Sequence, residues 1–138
     1  MRNALVVERS ASLRRHLAAT LRQLGFEVKT LTCGEHVCEE AKRLVPAVIC
    51  LDQSLPDIGG LELCERLRHM PETAKAGIII ISSRRSPVDR AHAELAGAND
   101  YLVKPFVMSK FADRARRLTR GEITEPMRLV RRRPMAVA

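Results

Sequence analysis

The chain reads as an α/β protein built on a single doubly wound, five-stranded parallel sheet. Three observations predict it. Strand-like and helix-like segments alternate five times within roughly the first 120 of the 138 residues, the pattern of repeated βα units. The two most apolar segments, Val48-Ile49-Cys50-Leu51 and Ile78-Ile79-Ile80-Ile81, are continuous rather than alternating, as in strands covered on both faces. Each of these runs ends in a polar residue, Asp52 and Ser82, beside a turn-rich loop, so chemistry-bearing side chains collect at the carboxyl edge of the sheet.

Taken in order, Ala4–Val7 is the first strand, and Ser10 is placed to cap a helix running to Leu24. That helix carries Leu13, Leu17, Leu21 and Leu24 on one face, and Gly25 stops it. Phe26–Leu31 alternates apolar and polar residues like an edge strand with one solvated face, and Gly34–Leu44 is a weaker second helix closed by Pro46. Val48–Leu51 is the central strand, ended by Asp52 and followed by Leu55-Pro56-Asp57 and Gly59-Gly60. Leu61–Met70 is a third helix with Leu61, Cys64 and Leu67 inward, and Pro71 closes it. Ile78–Ile81 leads through the polar loop Ser82–Pro87 to a short helix, Val88–Leu95, stopped by Gly97. Tyr101–Val103 is the fifth strand, and Lys104-Pro105-Phe106 opens onto a basic helix, Met108–Thr119.

Composition narrows the function. With 46% hydrophobic residues and no long linker in its body, the chain makes one domain over residues 1–121; residues 122–138, with Pro126 and Pro134 around Arg131-Arg132-Arg133, read as a flexible basic tail or truncated linker. The net charge of +8 is uneven: from Val107 onward nine basic residues face three acids, a surplus of six. Aromatic content of 3% gives no stacking platform, so nucleic-acid contact by the basic end is only weakly suggested and would be electrostatic. Cys33, Cys38, Cys50 and Cys64 show neither C-x-x-C nor zinc-ligand spacing, and Cys50 and Cys64 read as core. His16, His36, His69 and His92 are scattered, without pairing. No apolar run is long enough to span a membrane and no signal peptide is present, which points to a soluble, cytoplasmic protein. Neither G-x-G-x-x-G nor G-x-x-x-x-G-K-[ST] occurs, against dinucleotide or nucleoside triphosphate binding.

What the strand ends do carry is Glu8 and Arg9, Asp52, Ser82 and Lys104. A carboxylate nucleophile, a hydroxyl and an ammonium are the parts needed to accept a phosphoryl group and hold its oxygens. With VICLDQSLPDIGGLELCERLR, the hydroxyl after IIII and GANDYLVKPF, residues 3–120 resemble the receiver domain of bacterial two-component response regulators. The resemblance implies a flavodoxin-like sheet in the order 2-1-3-4-5. It implies Asp52 as phosphoacceptor, Ser54 as the carbonyl that helps bind a metal, Ser82 and Tyr101 as phosphate-sensing and switch residues, and Lys104 as the phosphate-pairing ammonium. It also implies a cis peptide at Lys104-Pro105.

One position departs from the family. Its first strand ends in two adjacent acids that hold Mg²⁺, and here they are Glu8 and Arg9. Arginine ligates no metal, and Glu8, Arg9, Asp52 and Lys104 sum to a formal charge of zero, so Mg²⁺ held by Glu8, Asp52 and Ser54 is expected to be weak or absent. Two arrangements stay open for Arg9: a guanidinium paired with Asp52, or a side chain turned to solvent. Two functions stay open as well. The first is a non-enzymatic switch that takes a phosphoryl group from a histidine kinase or phosphotransfer protein and alters an output face of the fourth helix, fifth strand and fifth helix, used by an output protein or domain or a homodimer. The second is an atypical pseudo-receiver that keeps the fold as an interaction domain and is not phosphorylated, or is metal-independent, because Arg9 replaces an acidic metal ligand.

Overall fold

β1 (Asn3–Val7), β2 (Glu27–Leu31), β3 (Val48–Asp52), β4 (Gly77–Ser82) and β5 (Asp100–Val103) form one parallel sheet in the order β2-β1-β3-β4-β5. The computed structural model describes residues 2–120, and the basic tail expected over 122–138 lies outside the described residues. Five helices join the strands: α1 (Ala11–Gln23), α2 (Val37–Leu44), α3 (Gly60–Arg68), α4 (Pro87–Leu95) and α5 (Met108–Thr119). No helix among the described residues is long and apolar enough to cross a membrane.

The strand period of two divides the core. Leu5, Val7, Ile49, Leu51, Ile78 and Ile80 point to one face, where Val37 and Ala41 of α2, Leu63 and Leu67 of α3 and Ala93 of α4 cover them. Ala4, Val6, Val48, Cys50, Ile79 and Ile81 point to the other, against Leu17 and Leu21 of α1 and Phe111 and Ala115 of α5. Burial on both faces is why β3 and β4 are continuous apolar runs. Only β2, at the edge, alternates between exposed and half-buried positions.

Differences from the sequence reading are local. α2 starts at Val37 rather than Gly34, because the Gly34 amide donates to the Asp57 carboxylate at 2.8 Å and so belongs to a turn against the β3–α3 loop. α3 starts at Gly60, which turns Leu63 inward with Cys64 and Leu67 and leaves Leu61 half-buried. On α1, Leu13 and Leu24 are likewise half-buried flanks of the Leu17/Leu21 stripe. Cys50 and Cys64 are core residues, and all four histidines are exposed. Gly25 and Gly97 end α1 and α4 at φ of +97° and +99°. α2 ends differently: Val45, 57% exposed, sits in the left-handed region at φ 47°.

Two substitutions test this backbone. A Cβ at Gly60 would run into the Asp52 carbonyl oxygen and approach the Gln53 Cα at 2.7 Å. Gly60→Ala is therefore expected to destabilise the protein by about 1–3 kcal/mol in denaturant unfolding. Val45→Gly removes left-handed strain of about 1–2 kcal/mol against an unfolded-state cost of about 0.4–1 kcal/mol, so it should raise stability by up to about 1.6 kcal/mol.

Candidate functional site

Register assembles the site. Val7 pairs with Leu51 and Asp52 with Ile81, so β1, β3 and β4 end together at the carboxyl edge. The ladder then continues past each strand: the Glu8 amide donates to the Leu31 carbonyl at 3.1 Å, Gln53 to Ile81 at 2.8 Å, and Lys104 to Ser82 at 2.8 Å. Backbone hydrogen bonds thus fix where the side chains of Glu8, Asp52, Ser82 and Lys104 emerge.

Asp52 is 1% exposed. Its Oδ1 accepts from the Ser54 amide at 3.0 Å and lies 3.6 Å from Lys104 Nζ, while its Oδ2 accepts from the Arg9 amide at 3.3 Å. Glu8 is fully buried beside it. Glu8 Oε2 accepts from the Ser10 amide at 3.0 Å and from Lys104 Nζ at 3.3 Å, whereas Oε1 is buried without a hydrogen-bond partner. Burial pushes the Glu8 carboxyl above its ordinary 4.5; the Ser10 amide pulls it down, the Asp52 carboxyl pushes it up again, and Lys104 offsets part of the rise.

Arg9 turns its side chain to solvent instead of forking onto Asp52. Its guanidinium is exposed yet tethered: Nη1 donates to the Ser54 carbonyl at 3.2 Å, and the contact with Asp52 comes from the Arg9 backbone instead of a side-chain fork. Arg14, on α1, donates to the Glu8 carbonyl at 2.8 Å and to the Arg9 carbonyl at 3.4 Å, pinning the turn that carries Arg9.

Ser82 ends β4 almost fully buried, and its Oγ accepts from the Arg84 amide at 3.0 Å. The Tyr101 ring is buried, and its hydroxyl donates to the Arg84 carbonyl at 2.8 Å. The Arg90 guanidinium lies 5.6 Å over that ring. One residue, Arg84, therefore touches both Ser82 and Tyr101. The Lys104-Pro105 peptide is cis.

A five-stranded 2-1-3-4-5 sheet with this residue set at its carboxyl edge decides the family, and the family model for the response regulator receiver domain matches residues 4–116. The chain belongs to the response regulator receiver family. Over 115 residues the receiver is 36% identical to the phosphate regulon transcriptional regulatory protein PhoB of Rhizobium meliloti (strain 1021), a match covering 83% of this chain and 51% of that protein. The chain spans about half the length of the curated relatives it matches. Among solved structures it resembles the response regulator DrrB, a Thermotoga maritima OmpR/PhoB homologue, with a TM-score of 0.80 at 27% identity over 90% of this chain and 55% of that one. It also resembles the chemotaxis response regulator CheY4 of Vibrio cholerae, with a TM-score of 0.79 at 27% identity over 86% of this chain and 98% of that one. Receiver domains are signalling modules that interact with histidine kinases and output domains.

Receiver domains typically bind Mg²⁺ in the phosphorylation site. The residues of this receiver do not fit the ion as they stand. Mg²⁺ wants near-octahedral oxygen coordination. Here the Ser54 carbonyl is taken by the Arg9 guanidinium, and Asp52 Oδ1 and Glu8 Oε2 both face Lys104. What is left is Asp52 Oδ2, which accepts only from the Arg9 amide, and Glu8 Oε1, and no group of three His, Cys, Asp or Glu side chains able to hold a metal occurs among the described residues.

Two further participants escape a reading of the sequence. Gln53 Oε1 lies 3.4 Å from the Tyr101 hydroxyl, and Arg14 holds the β1–α1 turn. Adjacency to Asp52 was a signal for Gln53. Arg14 carried none, since its reach depends on how α1 leaves the sheet.

The raised Glu8 pKa has a sign that can be checked. Glu8 holds its proton more tightly folded than unfolded, so its stabilising contribution is complete below 4.5 and is lost as pH rises through the folded value. Glu8→Gln, which keeps an acceptor for Ser10 and gains a donor for Asp52, should raise the melting temperature at pH 7. That advantage should shrink to nothing below the ordinary glutamate pKa of 4.5 in a melting series against pH.

Proposed function

We propose that this receiver takes a phosphoryl group from a phosphohistidine of a histidine kinase or phosphotransfer protein onto Asp52, and passes the change to a protein-binding face of α4, β5 and α5. The observation that supports it most is the Asp52 carboxylate, held at a strand end with its oxygens oriented by the Ser54 and Arg9 amides and an ammonium at 3.6 Å. In the transfer an Asp52 oxygen bonds to phosphorus as the phosphorus–nitrogen bond to the donor imidazole breaks. The electron pair stays on that nitrogen, which takes up a proton from solvent. The product is an acyl phosphate, and Lys104 is the phosphate-pairing group that meets its added negative charge.

Ser82 and Tyr101 carry the switch through Arg84. A serine hydroxyl that accepts one hydrogen bond still has a proton to donate, so Ser82 can turn to a phosphoryl oxygen. A rotation of the Ser82 side chain toward that oxygen moves the acceptor of the Arg84 amide, and Arg84 is the residue whose carbonyl holds the Tyr101 hydroxyl. The exposed Val88, Leu95 and Val107 give the α4-β5-α5 face an apolar surface suited to an output domain or partner, or to a second copy. The relatives' names as transcriptional regulators support an output that acts on transcription.

The second reading, a pseudo-receiver that is not phosphorylated, is favoured by one observation: the guanidinium on the Ser54 carbonyl, where the family pattern has an acid and a metal. Intact-mass measurement after incubation with a small-molecule phosphodonor separates the two. The wild-type protein should gain a phosphoryl adduct and Asp52→Asn should gain none. An adduct on Asp52→Asn at the wild-type rate would move the acceptor elsewhere. No adduct on the wild type, with Mg²⁺ or with chelator, would leave the pseudo-receiver.

A further inference from the structure

We infer that Arg9 is a phosphoryl-binding residue that takes the metal's part at this site, so that phosphoryl uptake by this chain does not depend on Mg²⁺. The inference rests on Asp52 as the acceptor.

The two oxygens of Asp52 have different neighbours. Oδ1 has the Ser54 amide and Lys104; Oδ2 has the Arg9 amide. A phosphoryl group on either oxygen is built between the fifth-strand ammonium and the turn that presents Arg9. Its three terminal oxygens need counter-charge or donors. A guanidinium offers five N–H groups in a rigid fork, and only Nη1 is engaged, on the Ser54 carbonyl at 3.2 Å. That carbonyl lies two residues beyond Asp52, in the loop that follows β3, so the guanidinium is tied to the loop leaving the acceptor while its remaining donors stay uncommitted.

The anchoring is specific to this site. Arg14 clamps the Glu8 and Arg9 carbonyls, and the Arg9 amide is itself spent on Asp52, so the backbone that launches the guanidinium is fixed at both faces. A cation that bridges a loop carbonyl and the phosphoryl oxygens does the electrostatic task of a divalent ion there. It also bars the ion, since it occupies the carbonyl and brings like charge.

The test measures the rate of Asp52 labelling by a small-molecule phosphodonor with Mg²⁺ and with EDTA, in the wild type, Arg9→Ala, Arg9→Lys and Arg9→Asp. Calorimetric titration of Mg²⁺ alone into each protein is the second readout. The wild type should label at rates that differ by less than about twofold between the two conditions, a change worth under about half a decade. Arg9→Ala should slow labelling in EDTA by about tenfold or more, with Arg9→Lys in between, since a charge-assisted contact is lost or only partly kept. Arg9→Asp should make labelling Mg²⁺-dependent and should bind the ion more tightly than the wild type. Wild-type labelling that requires Mg²⁺ and is unchanged in Arg9→Ala would overturn the inference while leaving Asp52 as acceptor. No labelling of any variant in either condition would overturn the reading of Asp52 as phosphoacceptor, and this inference with it. Arg9 is exposed and outside the core, so its variants are expected to fold; their melting curves check it.

Discussion

Taking two carboxylates out of water side by side is the constraint that the rest of this structure answers. Glu8 and Asp52 are essentially without solvent contact, and an unpaired buried ion costs several kcal/mol. The chain meets that cost with donors that only a particular fold supplies. Amides of Ser10, Arg9 and Ser54, each in a loop just beyond a strand, point back at the carboxylates, and Lys104 arrives from the opposite side of the sheet's carboxyl edge. This needs β1 beside β3, with β4 and then β5 following on the far side. It also needs α3 to start close under Asp52, which only a glycine at position 60 allows.

That dependence explains what the sequence could and could not disclose. β3 and β4 were legible because burial on both faces leaves an unbroken apolar run, and Asp52 and Ser82 because each is the first polar residue after such a run. Helix starts were less legible. The difference between Gly34 and Val37 is decided by a carboxylate in another loop, Asp57, and the shift of the inward face from Leu61 to Leu63 by a helix that begins one residue early at Gly60. The family resemblance, and not periodicity, supplied strand order, the cis peptide and the metal expectation. Arg9 was recognisable as a departure, but its destination was not. The guanidinium's partner is a backbone carbonyl on a different loop, and a carbonyl leaves no mark in the sequence.

The two edges of the sheet are held in different ways. At the amino edge, Arg68 donates to the carbonyls of Gly97 at 2.7 Å, Ala74 at 3.1 Å and Ala76 at 2.7 Å and to the Asn99 side chain, whose Oδ1 also accepts from Ile78. It joins the α3–β4 and α4–β5 loops through neutral acceptors, and burial lowers its pKa. Such a clamp has no competitor and gives the loops one arrangement. At the carboxyl edge the contacts are ionic or shared. Lys104 divides itself between two acids, and Arg84 serves Ser82 with its amide and Tyr101 with its carbonyl. A group that serves two partners can be redistributed when one of them gains charge.

The charge count at that edge gives the argument its direction. Glu8 and Asp52 against Lys104 and Arg9 make a set of four side chains whose formal charges cancel. Adding a phosphoryl group makes the set negative, and the nearest adjustable charges are the two cations. Lys104 is shared between Glu8 and Asp52, and Glu8 is the carboxylate that burial inclines to hold a proton. Arg9 can follow without leaving the Ser54 carbonyl, because its other donors are uncommitted. In a site with a second acid the extra charge would be met by a diffusing ion. On the reading proposed for Arg9, the turn after β1 meets it instead, and that turn is the one whose carbonyls Arg14 ties to α1.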